Sequence, residues 1–467
     1  MNRLRTGLTT LCVCLSMTTF AQQKEGGITP QMMQEIKQAY QGTPADVAIK
    51  NAINNNDINR LAVNHDTKNN FDSYFSHRVN SKGITDQKSS GRCWLFTGMN
   101  VFRAKAIAKY DMGDFQFSNV YPFFWDQLEK ANLFLQGIID TKDRPMDDRM
   151  VDWLFKNPLS DGGQFTGVFD IVMKYGVVPA DVMVETNSSS STGRMANLIG
   201  LKLKEWGLEL RDMAANKAKP AELQRKKTEM LGTVYRMLVL NLGEPPTEFT
   251  WTRKDAKGKP VETKQYTPKS FYDQFIGEDL ENNYVMLMND PTRDYYKLYE
   301  IDFDRHRYDG TNWTYVNLPI EEIKEMAIAS IKDSTMMYYS CDVGKFFDRE
   351  RGVLDVEYYD YGSLMGTSFG MDKKQRIQTY ASGSSHAMTL MAVDLDADTN
   401  TPKKWMVENS WGPGANNGHL IMTDKWFEEY TFRLVVDRRY ITNKVKEVLK
   451  QSPTRLPAWD PMFADEQ

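Results

Sequence analysis

Residues 83 to 103, GITDQKSSGRCWLFTGMNVFR, constrain this chain most: a polar loop flanked by Gly83 and Gly91 runs directly into an apolar helix, with Cys93 at the joint. Free amides at a helix N-terminus and the positive end of its macrodipole favour an anion, so a thiol placed there ionises more readily. From Trp94 onward, Leu95, Met99 and Phe102 share one face and Trp94, Gly98 and Val101 another, which predicts a helix buried through its first three turns. Gln87, six residues before Cys93, can bring an amide donor beside the sulfur, and Gly91 lets the backbone come close. An isolated cysteine is more often a structural thiol than a nucleophile. The loop-to-helix context reverses that preference here.

A thiol is a weak nucleophile until a base takes its proton. Of the five histidines, His65 and His77 lie in a polar segment, His306 sits among Asp304, Arg305 and Arg307 in what reads as a solvated turn, and His419 begins a strand. His386 enters the strand-like run HAMTLMAVDLD after the small residues SGSS, which allow another segment to approach. Asn409, in VENSWG, follows 409 − 386 = 23 residues later on the next strand-like run. Adjacent antiparallel strands would set its amide beside the imidazole and fix ring orientation and tautomer. Trp411 would cover that bond and Gly412 permit the turn.

The run Ser90, Gly91, Arg92, Cys93, Trp94 is similar to the papain-like signature of Cys, Gly, a small residue, Cys and an aromatic, with Ser90 and Arg92 as departures. With those departures, DQKSSGRCW resembles the bleomycin hydrolase and aminopeptidase C branch of the papain-like cysteine peptidases. The order Cys, His, Asn-Ser-Trp-Gly agrees. Cys93 and His386 are 386 − 93 = 293 residues apart, against roughly 130 to 150 in papain, as the large helical insertions of that branch would require. The resemblance runs from about Pro30 to Met462 and includes FWDQLEKAN, DGGQ, KYGVVP, DVGKFF, SHAM, NSWG and LPAWDPM. Departures are the N-terminal segment, SGSS before His386, and the acidic end FADEQ.

This resemblance implies an α+β, papain-like fold: a helical domain carrying the Cys93 helix, an antiparallel β-sheet or barrel domain, and large helical insertions. It implies an aminopeptidase acting on peptides, with Cys93 as nucleophile, His386 as its acid–base partner, Asn409 orienting His386, and Gln87 with the Cys93 amide holding the oxyanion. Gly162 and Gly163 would lie in the cleft, and the terminal carboxylate of Gln467 would meet the substrate's α-ammonium. A homohexamer is also implied. No cofactor and no metal is expected. Two other classes stay open: a catalytically silent peptide-binding protein, against which the intact Gln87, Cys93, His386 and Asn409 argue, and a thiol-dependent amidase or acyltransferase on a small amide.

Composition bounds the rest. At 467 residues the chain holds one large or two to three ordinary domains. Arg3 and Arg5 precede an apolar run from Leu8 to Met17, and Thr19, Phe20, Ala21 form a cleavage site before Gln22, so a signal peptide over 1–21 is expected, and with it periplasmic or secreted location. Val13 before Cys14 is too bulky for a lipoprotein site. Removing the segment makes the net charge −4 − 2 = −6, which argues against a nucleic-acid-binding surface. It leaves Cys93 and Cys341, both expected as free thiols, and no other stretch has the roughly 18 apolar residues of a membrane span. The expected organisation is an arm over 22–80, a helical domain with insertions and a hairpin over 81–282, a β domain over 283–455, and a tail over 456–467.

Overall fold

The computed structural model describes residues 26–67 and 71–462; the proposed leader, with Cys12, Cys14 and Ala21, and the terminal Phe463 to Gln467 lie outside the described residues. Contacts divide the chain into two units, residues 1–62 and residues 63–467. In the first, Thr29 caps a helix Pro30–Gln38, and Thr43 with Asp46 forms a capping box for a helix Pro44–Asn55.

The second unit carries the sites discussed below. Its Cys93–Tyr110 helix buries every residue from Cys93 to Ala104. Burial on all sides puts polar residues inside: Asn100 Nδ2 donates to Thr85 Oγ1 at 3.1 Å, and Arg103 pairs with Glu408. Both members of that ion pair are almost fully enclosed, so removing one would cost about 3–5 kcal/mol through the charge left behind. Gly98 is needed because a Cβ there would meet Val168 Cγ2 at 2.7 Å on the neighbouring helix Phe165–Tyr175. That helix stops at Gly176, whose φ of +82° and contact with the Pro268 backbone both exclude a side chain. Helices Val120–Asp140, Gly193–Ala215 and Pro220–Leu242 complete this half; the last buries Leu223, Met230, Val234 and Leu238 at helical spacing.

The strands are β1 His77–Arg78, β2 Phe249–Lys254, β3 Pro260–Tyr266, β4 Tyr284–Met288, β5 Lys297–Ile301, β6 Thr314–Asn317 and β7 Met337–Cys341. They continue with β8 Phe347–Asp348, β9 Val353–Leu354, β10 His386–Leu395, β11 Pro402–Glu408, β12 His419–Thr423, β13 Thr431–Asp437 and β14 Thr454–Leu456. β2 and β3 form the expected hairpin. The others make one sheet in the order β14-β5-β6-β4-β13-β7-β10-β11-β12-β9-β8, with β1 also paired to β10.

The sheet is not wholly antiparallel: β4 with β6, β5 with β14, and β9 with β12 run parallel. The cause at β4 is that the chain passes to β5 before returning as β6 between them, antiparallel to β5 and therefore aligned with β4. Alternate residues serve two cores. Tyr338, Ala387, Phe432 and Val435 join the core that contains Cys93 and Trp94, while Tyr339, Cys341, Met388 and Trp405 join the core under the helices Ile320–Lys332 and Asp424–Tyr430. Both faces being covered, every residue of β10 is buried. Among the described residues no helix is long and apolar enough to cross a membrane.

Candidate active site

Cys93 is the first residue of its helix, which has Arg92 at the N-cap position with no side-chain cap. Arg92, the residue that departs from the papain-like pattern, is fully buried and donates to both carboxylate oxygens of Glu185 at 3.1 and 2.8 Å. Ser90, the other departure, donates its hydroxyl to the Gln87 carbonyl at 2.6 Å. The loop before the helix is therefore built from side-chain hydrogen bonds.

The Cys93 helix packs on β10 and β7, and His386 opens β10 directly opposite Cys341 of β7. His386 Nε2 lies 2.8 Å from Asn409 Oδ1, just beyond the end of β11. The backbone N–H of Ser410 points at the same Asn409 atom, also at 2.8 Å. Because an N–H can only donate, that atom is the oxygen; His386 must then carry its hydrogen on Nε2, which leaves Nδ1 as the ring's acceptor. Trp411 lies over the ring at a centroid distance of 4.7 Å. His386 and Asn409 are each 2% exposed, so this bond is sheltered from water.

Gln87 is joined to the same corner. Its Nε2 donates to the Ser90 carbonyl at 2.7 Å, and its Oε1 accepts from Ser410 Oγ at 2.6 Å. Its backbone N–H donates to the Ser410 carbonyl at 2.8 Å. One of the two amide hydrogens of Gln87 is thus committed to the loop. Beside Asn409 and Trp411 opens a cavity of about 210 Å³ whose walls include Phe347, Arg349 and Leu420.

The Gly162–Gly163 segment is held from behind. Trp94 Nε1 donates to the Asp161 carbonyl at 3.0 Å, Lys130 Nζ to the carbonyls of Ser160 at 3.0 Å and Gly162 at 2.5 Å, and the Asp161 carboxylate accepts from the Gly91 N–H at 2.8 Å. A Cβ on Gly163 would meet the His306 ring at 2.4 Å and Trp94 at 2.9 Å, so ring packing alone accounts for this glycine. His306 itself corrects a sequence expectation: it is 5% exposed, not in a solvated turn, because Asp126 and Asp170 receive its ring and backbone nitrogens. Burial works to raise the Asp126 carboxyl, but Lys130 and His306 overcome it and hold it below the ordinary carboxylate value.

Sequence reasoning missed Ser410, Lys130 and His306 as parts of this corner. Ser410 stood within the Asn-Ser-Trp-Gly run and Lys130 four residues after Asp126, but nothing around His306 pointed inward. Both described cysteines are free thiols, and among the described residues no group of three or more His, Cys, Asp or Glu side chains could hold a metal ion. Gln467 lies outside the described residues.

A sequence model of the Peptidase C1-like family matches residues 27–463. The chain belongs to that family. It is an α+β cysteine peptidase, 36% identical to mouse (Mus musculus) bleomycin hydrolase over 94% of this chain and 98% of that protein. Aminopeptidase C of Lactobacillus delbrueckii subsp. lactis is 34% identical over 90% of this chain and 94% of its own length. The solved structure of PepW from Lactobacillus rhamnosis HN001 superposes with a TM-score of 0.90 at 35% identity, covering 94% of this chain and 99% of that one.

Proposed function

We propose that the protein is an exported aminopeptidase that cleaves peptide bonds next to free N-termini through a Cys93 thiolate. The observation that carries the mechanism is the sheltered His386–Asn409 bond, because it leaves Nδ1 of His386 as the one ring atom able to take the thiol proton. The thiolate attacks the scissile carbonyl, and the resulting oxyanion is met by the Cys93 amide and the remaining N–H of Gln87. His386 then gives its proton to the leaving amine. Water hydrolyses the acyl-enzyme, with His386 as base, and regenerates the thiol. Gly162 and Gly163 lie along the substrate, as the family resemblance implies.

Export is supported by Arg3, Arg5, the apolar run Leu8 to Met17 and Ala21; a mature chain starting at Gln22 and carrying no lipid is expected. The homohexamer carries over from the resemblance, and light scattering of the mature protein measures it.

The preference for free amino termini is assigned to the tail. β14 pairs with β5, a turn from the Pro457 carbonyl to the Asp460 N–H follows at 3.0 Å, Arg149 covers the Trp459 ring at 4.3 Å, and Asp460 pairs with Arg293. This path therefore turns at 457–460. Met462 is buried and its carbonyl accepts from Arg433 of β13, which pairs with Ser340 of β7, itself paired with Ala387 beside His386. Two strand spacings are roughly 10 Å, and five further residues reach at most about 18 Å, so the terminal carboxylate has the length to reach a substrate ammonium. At about 4 Å and an effective dielectric near 20 that pairing is worth about 4 kcal/mol. Deleting Phe463 to Gln467 is expected to let N-blocked peptides be cleaved; a truncated enzyme that keeps its preference for free termini would show that the tail is not the gate.

A further inference from the structure

Three successive carbonyls, of Ser160, Asp161 and Gly162, are bound from the protein side by Trp94, by Lys130 and, at Ser160, also by Gln127, whose Nε2 donates there at 2.9 Å and to Oδ2 of Asp126 at 3.0 Å. His306 touches Trp94 directly and Lys130 through Asp126. Its ring meets the Trp94 indole edge-on at 4.9 Å and 66°, and its Nδ1 lies 2.5 Å from Oδ1 of Asp126, whose other oxygen lies 3.2 Å from Lys130 Nζ. His306 is delivered from far away in the chain, by the turn between β5 and β6, and inserts among helices of the other half. The turn is locked there in turn: the His306 N–H and Arg307 Nε both donate to the Asp170 carboxylate at 2.8 Å. Gly163 and Gly167 make the room, since a Cβ at either would lie within 2.4 Å of the imidazole.

We propose that His306 is a positioning residue for the substrate-binding strand: through Trp94 on one side and the Asp126–Lys130 pair on the other, it sets the Ser160–Gly163 backbone against which the peptide is aligned. This rests on the reading that Gly162 and Gly163 lie along the substrate. Physically, the device places a carboxylate with two cationic or N–H partners where the low dielectric makes their geometry stiff, and hangs on that frame a segment whose last two residues, Gly162 and Gly163, have no side chains to fix them. A peptide that meets a misplaced strand loses binding contacts made equally in the ground and transition states, whereas a small alkylating reagent has no need of the strand.

The test compares the full-length enzyme with His306→Asn, which keeps a donor for Asp126 but loses the ring against Trp94, and with Asp126→Asn, which removes the charge that aims Lys130. For an aminoacyl amide carrying at least two further residues, KM is expected to rise tenfold or more in both, with kcat within threefold, and the rate of Cys93 alkylation by iodoacetamide is expected to stay within twofold of the parent. A purely architectural role would lower the melting temperature and leave KM alone, and folded variants with parental KM overturn the proposal. Should either buried substitution prevent folding, Lys130→Met removes two of the four side-chain bonds to these carbonyls directly and is held to the same KM criterion. A parent enzyme that cleaves no peptide amide sinks the functional reading instead; a parent that cleaves, with all variants at its KM, sinks this inference alone.

Discussion

Ser410 donates its hydroxyl to Oε1 of Gln87 at 2.6 Å, and with its backbone N–H it holds Asn409 Oδ1 at 2.8 Å. A single residue thus couples the side chain assigned to the oxyanion with the one that orients the imidazole. Ser410→Ala removes only the first bond, leaving the Gln87 amide held by Ser90 alone, and is expected to lower kcat about fivefold with little change in KM, since a net hydrogen bond of about 1 kcal/mol is lost. Gln87→Ala removes the donor itself and should cost about 10²–10³-fold in kcat. Steady-state kinetics on one peptide amide check both, and a Ser410→Ala enzyme as impaired as Gln87→Ala would contradict the order.

The two thiols lie in different environments although both are buried: Cys93 begins a helix in the core shared with Trp94, and Cys341 sits in the core on the other face of the sheet. Iodoacetamide at mildly acidic pH is expected to modify Cys93 at least tenfold faster than Cys341, because of the two only Cys93 begins a helix, and the proposed function assigns it His386 as base. Peptide mapping of the alkylated protein reads the ratio. Equal rates in the folded protein would remove Cys93 as nucleophile.

Lys373 offers a pH prediction. Its Nζ donates to Asn289 Oδ1 at 2.6 Å and to the carbonyls of Glu428 and Thr431 at 2.9 and 2.6 Å, tying the helix Lys373–Gln378, a few residues before His386, to the start of β13. Burial pushes its ammonium down to about 7, while an unfolded lysine titrates near 10.4. Between those values the unfolded chain binds the extra proton, so stability rises with pH. Parent protein should therefore gain stability relative to Lys373→Met as pH goes from 6 to 9 in denaturant melts; a difference that is flat or falls over that range contradicts it.

The parts of the site that were legible in the sequence are those made by neighbours. Cys93 is adjacent to its loop, and His386 opens β10 while Asn409 directly follows β11, the strand paired with it, so residue type and short spacing carry them. His306 was not legible because its charged neighbours look solvated until their partners arrive from about 140 positions away: Asp304 meets Gln164 and Thr166, and Arg307 meets Asp170. The strand β6 was missed for a related reason. Its four residues follow the polar Gly310 to Asn312, too short a run for alternation to show, and only pairing with both β4 and β5 makes it a strand. The parallel pairings likewise depend on strand order, which no local pattern records.

The most direct measurement is hydrolysis of a fluorogenic aminoacyl amide and its N-acetylated counterpart by the parent enzyme and by Cys93→Ala, side by side. The parent is expected to release fluorophore from the free amine and at least tenfold less from the acetylated form, and Cys93→Ala to release it from neither. Turnover by Cys93→Ala, or equal turnover of both substrates by the parent, would contradict a Cys93 aminopeptidase.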